Sequence, residues 1–357
     1  MDQKKLSVAV LMGGRSGEHD VSRASGWAVL TQLPADGFEA WPVVLGRDGR
    51  WWFPDADAAD PEVELPAKGG LALPEGIRRL VDRGPDVVFI AMHGPEGEDG
   101  KIQSLLDLLG LPYVGSDGYA SSLAMNKPMA KAVYRAHNLP VADDEILQRA
   151  DWERDPAAVE ASLRARFVPP WVLKTPKLGS SVGLTIVGED GDLPGELGRL
   201  FRLDPALLVE QFVAGRELTC AVLDTPALGS TRPLPILEII PVESPYFDYH
   251  AKYTPGAARE ICPADVEDTV RDRAQALGLL AHRILGCRGM SRTDFILTPS
   301  GALVILETNT IPGLTRTSLL PQQAAAAGLT FADLVAGLTR GAYESSINHV
   351  SQAKATP

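Results

Sequence analysis

The chain has 357 residues, which at ~150 residues per domain allows two or three compact units and excludes a peptide or a lone small module. Hydrophobic residues make up 45% and charged residues 22%, so neither wholesale disorder nor a disulfide-stapled miniprotein fits. With 34 Lys+Arg against 46 Asp+Glu the net charge is −12, which argues against nucleic acid held by many phosphate contacts; an anionic ligand must be met locally.

Cys220, Cys262 and Cys287 lie far apart with no C-x-x-C pair, which argues against a zinc knuckle or a disulfide framework and for a reducing compartment. The first residues lack a signal peptide's apolar stretch, and no run approaches ~18 apolar residues. The expectation is a cytoplasmic protein without a membrane partner.

Residues 8–12 are a short apolar run closed by Gly13-Gly14, and 21–33 reads as a helix, giving the strand, glycine loop, helix order of an α/β unit. A second strand is predicted at 40–45. Residues 46–75, rich in Gly, Pro and Asp, read as an irregular excursion with Trp51-Trp52-Phe53 as an edge strand and little chemistry. A third strand at 86–91 runs into His93-Gly94-Pro95-Glu96-Gly97-Glu98-Asp99-Gly100, a polar glycine loop before a helix over 101–109. Ligands of open parallel sheets gather outside the C-terminal strand ends, so the loops at 13–20 and 93–100 become site candidates together.

A helix is expected over 121–137. Beyond Pro140, strands at 171–174, 183–187, 207–211, 217–223 and 234–240 suggest a middle domain with a mainly antiparallel sheet. Residues 244–263 hold Tyr246, Tyr249 and Tyr253 without apolar periodicity and read as a long functional loop. A helix over 265–285, a hairpin of 290–297 with 302–307, and helices near 319–327 and 331–340 follow, and the last dozen residues read as a frayed tail.

The hairpin carries the strongest local argument. If the chain reverses at Ser300-Gly301, Asp294 lies opposite Glu307, and the two-residue period of a strand puts Glu307 with Asn309, and Arg292 with Asp294, on one face. Two carboxylates facing each other across a ladder repel, and a hard cation such as magnesium removes that penalty. The plainer alternative is a solvated strand face with a surface arginine.

Other features are weaker singly. Lys174 closes an apolar strand before a Gly-Ser-Ser loop that could wrap a polyphosphate, although the spacing does not fit a P-loop and such loops are common turns. Glu210 ends a strand where it could meet a purine edge, or simply leave a sheet. Ser318 reads as a helix N-cap, ordinary in itself, whose neighbouring N–H groups suit a carboxylate. Gly13-Gly14-Arg15-Ser16-Gly17 lacks the G-x-G-x-x-G spacing of a nicotinamide site, while Glu18 or His19 could grip an amine. His93 and His250 are as readily satisfied polar residues as catalysts.

Taken in order, G-G-R-S-G-E-H-D-V-S, H-G-P-E-G-E-D-G, N-K, the lysine strand with G-S-S-V-G, V-E-Q-F-V-A-G-R-E, Y-F-D-Y-H-A-K-Y, C-P-A, G-M-S-R-T-D and E-T-N-T-I-P-G-L-T-R-T-S resemble the D-alanine:D-alanine ligases of bacterial wall synthesis, members of the ATP-grasp superfamily. The match runs from about residue 7 to 340, outside the excursion and the tail. It implies an α/β (α+β) protein with a three-domain ATP-grasp fold whose N-terminal domain has a parallel sheet. The expected limits are 1–125, 126–215 and 216–345 with an omega loop at 244–263, then a tail at 346–357.

The resemblance further implies a cytoplasmic ligase for peptidoglycan precursors, and so for wall biogenesis and cell shape. It joins two D-alanines through an acyl phosphate, using ATP and two magnesium ions, for which manganese can substitute. Asp294, Glu307 and Asn309 are implied as metal ligands, Lys127, Lys174, Ser181 and Lys252 as phosphate contacts, Glu210, Gln211 and Val213 as adenine contacts, and Glu217 as the ribose contact. Glu18 is implied to meet the first D-alanine's ammonium, with Val21 and His93 nearby. Ser318 and the Leu319 N–H meet the second's carboxylate, and Arg292 and the Gly313 N–H the oxyanion. Glu18, Ser180 and Tyr253 form a hydrogen-bonded trio over the site.

Asn126, Thr175, Leu178 and His250 depart from the family's usual residues. A homodimer built through the N-terminal domain is the implied assembly. D-Lactate, D-serine or another D-amino acid as second substrate, and a non-catalytic nucleotide-binding protein, are the alternatives.

Overall fold

A computed structural model describes residues 4–66, 68–178, 183–242 and 256–355, with side chains described through residue 347. The first sheet contains β1 (Leu6–Gly13), β2 (Phe38–Leu45), β3 (Trp51–Trp52), β4 (Val87–Ile90) and β5 (Tyr113–Val114) in the order β3-β2-β1-β4-β5. All pairs are parallel except the edge pair β2–β3. Val8 to Met12 on β1 and Val87 to Ile90 on β4 are fully buried, which explains apolar runs without alternation: helices cover both faces. These are α1 (His19–Gln32), α2 (Leu73–Arg83) and α3 (Lys101–Leu109).

Gly13 closes β1 with φ +86°, and a Cβ there would lie 2.3 Å from the Leu45 carbonyl oxygen. Only glycine admits the reversal that aims the following loop across the sheet's end.

The expected single helix over 121–137 is two, α4 (Gly118–Met125) and α5 (Lys127–Ala136), broken at Asn126. Pro128 is the cause: it lacks an N–H and its ring conflicts with the carbonyl four residues back, so it begins a helix rather than continuing one.

The second sheet comprises β6 (Asp144–Gln148), β7 (Trp171–Lys174), β8 (Leu184–Val187) and β9 (Ala206–Gln211), in the antiparallel order β6-β9-β7-β8. One face is apolar, with Trp171, Leu173, Leu207 and Val209 packed on α7 (Pro156–Arg166) and α8 (Leu193–Leu200), which follow the short α6 (Arg149–Arg154). Lys174, Glu210 and Asp144 occupy the other face.

The third sheet is built from β10 (Arg216–Asp224), β11 (Arg232–Pro233), β12 (Leu237–Pro241), β13 (Ala258–Ile261), β14 (Gly289–Leu297) and β15 (Leu303–Asn309). Its central order is β13-β12-β10-β14-β15, with β11 beside β10. The strands expected at 217–223 and 234–240 thus belong to this sheet and not to the middle one. Leu218, Cys220, Phe295 and Ile305 on one face pack against Ala130 and Tyr134 of α5 and Ala274 and Ala281 of α9 (Asp268–Ile284). α5 therefore stands between the second and third sheets.

α10 (Leu319–Ala326) and α11 (Phe331–Ala355) complete the chain. The expected frayed tail is helical through Ala355, since residues 342–355 hold no proline or glycine to stop it. The excursion at 46–75 is partly ordered by Arg23 of α1, whose guanidinium donates to the carbonyls of Asp60 and Val63. Among the described residues no helix is long and apolar enough to cross a membrane.

Candidate active site

The hairpin β14–β15 brings its polar residues together by two compensating irregularities. The turn is one residue longer than a reversal at Ser300-Gly301 requires: Leu297 pairs with Leu303, and Gly301 takes φ +82°. A bulge at Leu306 then restores the register, so Asp294 faces Glu307 and Arg292 faces Asn309. Phe295 and Ile305 turn to the core while Arg292, Asp294, Glu307 and Asn309 share the opposite face.

On that face Arg292 holds Asp294 with two parallel bonds, Nε and a terminal nitrogen each 2.8 Å from a carboxylate oxygen. The Thr219 hydroxyl donates to Asp294 at 2.6 Å and Asn309 Nδ2 at 3.3 Å. Glu307 lies 3.2 Å from Lys127 Nζ, which also donates to the Leu178 carbonyl at 2.7 Å. Burial would lower the Arg292 pKa, but Asp294, Glu307 and Glu98 outweigh it and raise it, so the guanidinium is a fixed charge. Asp294, Glu307 and Asn309 make an all-oxygen donor set on one surface, the class that a hard divalent cation selects. Among the described residues no group of three His, Cys, Asp or Glu offers another metal site.

Beyond β15 the chain returns to the first sheet. His93 Nδ1 lies 3.1 Å from the Ile311 carbonyl and Nε2 lies 2.7 Å from the Ser25 hydroxyl, which also accepts from the Leu314 N–H at 3.3 Å. Burial lowers the His93 pKa against the opposing pull of Glu18, so the ring is neutral, with Nδ1–H donating to Ile311 and Nε2 accepting from Ser25. Its backbone is pinned as well: the N–H donates to Ser22 Oγ and the carbonyl accepts from Ser16 Oγ, each at 2.9 Å.

Glu18, buried just before α1, presses its carboxylate on Gly94, where a Cβ would lie 2.2 Å from Oε2. Glu98 accepts from the Gly94 N–H at 2.7 Å. Burial, then the nearby Glu18 charge, pushes the Glu98 pKa up to about 8. Val21 lies half-buried on the first turn of α1.

Ser318 stands at the N-cap position of α10 but does not cap it; its Oγ turns back to accept from the Thr315 N–H at 3.1 Å. Gly313 packs on that side chain, where a Cβ would lie 2.7 Å from Oγ, and Leu319 begins the helix. On the second sheet Lys174 Nζ lies 2.7 Å from Glu210 Oε2, and both are buried. Gln211 is engaged at both ends of its amide by the Val168 backbone. Val213 follows β9, and Glu217 lies on β10 opposite Ile296. Ser180, Ser181, His250, Lys252 and Tyr253 lie outside the described residues.

Sequence reasoning missed Ser22 and Ser25, one helical turn apart on α1, and Lys131, one turn beyond Lys127 on α5; helical spacing was the signal available for both. Glu98 lies in the 93–100 loop motif, and nothing in the sequence pattern gives it a role.

Residues 7–116 match the family profile described as D-ala D-ala ligase N-terminus, and residues 133–340 match that of D-ala D-ala ligase C-terminus. The chain belongs to the D-alanine–D-alanine ligase family. A D-alanine–D-alanine ligase of Geobacter sulfurreducens is 42% identical, covering 93% of this chain and 92% of its own. One from Agrobacterium fabrum is 37% identical over 94% and 97%. The solved D-alanine–D-alanine ligase of Coxiella burnetii superposes with a TM-score of 0.80 at 29% identity, over 99% and 98% of the two chains. VanG D-Ala:D-Ser ligase from Enterococcus faecalis gives 0.78 at 28% identity, over 95% and 100%. The three-sheet architecture is accordingly the ATP-grasp fold. The family match spans the excursion at 46–75, which the sequence resemblance left out.

Proposed function

We propose that this protein joins two D-alanines into D-alanyl-D-alanine at the expense of ATP, supplying a wall precursor in the cytoplasm. The observation that carries the reading is the meeting of Arg292 and the Asp294–Glu307–Asn309 face with the loop 311–314 that His93 and Ser25 tie to Glu18's helix. Such a junction sets a carboxylate substrate between a phosphoryl donor and an amine. Residues 1–125, 126–215 and 216–345 are taken as its three domains.

In this reading the γ-phosphoryl of ATP passes to a carboxylate oxygen of the first D-alanine, breaking the bond to ADP. The amine of the second attacks the acyl carbon, and inorganic phosphate leaves. Glu18 fixes the first ammonium, with Val21 and neutral His93 beside it. Ser318 and the Leu319 N–H hold the second carboxylate. Arg292 and the Gly313 N–H face the oxyanion, a preorganised positive field where charge develops. Lys127 and Lys174 bind phosphate oxygens, Glu210, Gln211 and Val213 the adenine, and Glu217 the ribose.

Asp294, Glu307 and Asn309 would hold magnesium, which would neutralise the charge of the transferring phosphoryl group. Ser180, Ser181, Lys252 and Tyr253, outside the described residues, complete the proposed set of contacts. The assembly is a homodimer.

Phosphate release with ATP, magnesium and D-alanine, run beside L-alanine, D-serine and D-alanine plus D-lactate, tests the reading. Release with D-alanine and none with L-alanine is expected. Release only with D-serine or D-lactate present would keep the chemistry and reassign the second substrate.

A further inference from the structure

Lys131 has no part in the roles above, yet only 1% of its surface is exposed. It follows Lys127 by one helical turn on α5, so the two lysines leave the same side of that helix, one toward Glu307 and the other toward Glu210. The Lys131 ammonium lies 2.5 Å from Glu210 Oε1 and 3.4 Å from Asp144 Oδ1, while Lys174 takes the other Glu210 oxygen at 2.7 Å. Asp144 and Glu210 are direct partners on β6 and β9, an arrangement in which two carboxylates repel, and Arg135 pairs with the same Asp144 oxygen that Lys131 approaches.

The cluster thus sets the buried Lys131 and Lys174 and the exposed Arg135 against Asp144 and Glu210, leaving a surplus positive charge beside the loop that follows Lys174. Glu210 stays ionised despite its burial because Lys174 and Lys131 together pull its pKa down. A lysine ammonium has three donors. With Lys131 on one oxygen of Glu210, Lys174 spares one donor for the other and keeps two. Without Lys131, the whole carboxylate falls to Lys174 and cancels its charge.

We propose that Lys131 is a positioning residue for nucleotide: by holding one oxygen of Glu210 it leaves donors of the Lys174 ammonium available to the polyphosphate and directed at it. The inference rests on the reading that Lys174 and Glu210 face ATP.

The test is steady-state kinetics and thermal melting of the full chain with K131M, K131R and K174M. Removing one charged hydrogen bond should raise the KM for ATP about tenfold or more in K131M. The KM for D-alanine should stay within about twofold, since that substrate is bound elsewhere, and K131R should recover most of the loss. Equal rises for both substrates, an unchanged KM for ATP, or no recovery in K131R would overturn the proposal.

K174M separates the two claims: a raised KM for ATP there with a normal K131M refutes the role of Lys131 alone, whereas an unaffected K174M refutes the underlying assignment too. Should K131M fail to fold, K131M/E210Q restores the parent cluster's surplus of one positive charge. Its KM for ATP should match that of E210Q, and a further tenfold rise over E210Q would contradict the proposal.

Discussion

The hydroxyl of Ser25 lies 2.7 Å from Nε2 of His93 and accepts the Leu314 N–H at 3.3 Å, so one buried atom joins α1, the loop after β4 and the loop after β15. The first sheet and the hairpin face are therefore held in register by a side chain that meets no substrate in the proposed chemistry. Ser25→Ala should cost about 1–3 kcal/mol, because it strands the buried His93 Nε2 and the Leu314 N–H without this partner. Urea unfolding measures that loss, and a change below about 0.5 kcal/mol would show that the junction does not depend on this atom.

Arg292→Ala should reduce turnover by about a hundredfold or more while nucleotide still binds, because oxyanion stabilisation acts on the transition state and not on ATP. Single-turnover rates beside a nucleotide titration check this. Turnover within tenfold of the parent would remove Arg292 from the oxyanion.

Glu98 sets a pH dependence of stability. Its pKa rises on folding from the ordinary 4.5 to about 8, so between those values the folded state binds the proton that the unfolded state has released. Stability must then fall as pH rises through that window. Glu98→Gln should flatten this part of the profile and make the protein more stable near pH 8; parallel profiles for the two proteins would contradict the assignment.

Gly94→Ala should impair the first amino-acid site specifically. The residue has φ +72°, and the new methyl would occupy the place of Glu18 Oε2. The expected result is a KM for D-alanine raised about tenfold or more with the KM for ATP little changed, since the ammonium contact is the one displaced.

Chelation of divalent ions should stop turnover while leaving the fold intact, because Arg292 and Lys127 already offset Asp294 and Glu307. Thermal melting with and without chelator should differ by no more than a few degrees. Collapse of the melting transition would assign the metal a structural role.

Much of the fold was legible because it rests on periodicity. The apolar runs of β1 and β4 announce a sheet covered on both faces, and the alternation around Asp294 and Glu307 announces their common face. That face was reached although the turn is one residue longer than expected and Leu306 bulges, two shifts that cancel at Asp294 and do not cancel at Phe295. What stayed hidden depends on tertiary approach. No local pattern says that Lys131 crosses from α5 to Glu210 on the second sheet, or that Ser25 reaches Leu314 from 289 residues away. The break at Asn126 was readable from Pro128, and helix 73–83 was obscured by the glycine and proline content of the excursion before it.

The central claim is that ATP activates a D-alanine carboxylate before the second amine attacks. It is tested most directly with D-alanine labelled with oxygen-18 in its carboxylate, by mass spectrometry of the released phosphate and the dipeptide. The expected products are D-alanyl-D-alanine and phosphate that carries one labelled oxygen per molecule, the oxygen left on phosphorus when the acyl phosphate is opened at carbon. Dipeptide with unlabelled phosphate would contradict the acyl phosphate, and labelled phosphate without dipeptide would contradict the ligase.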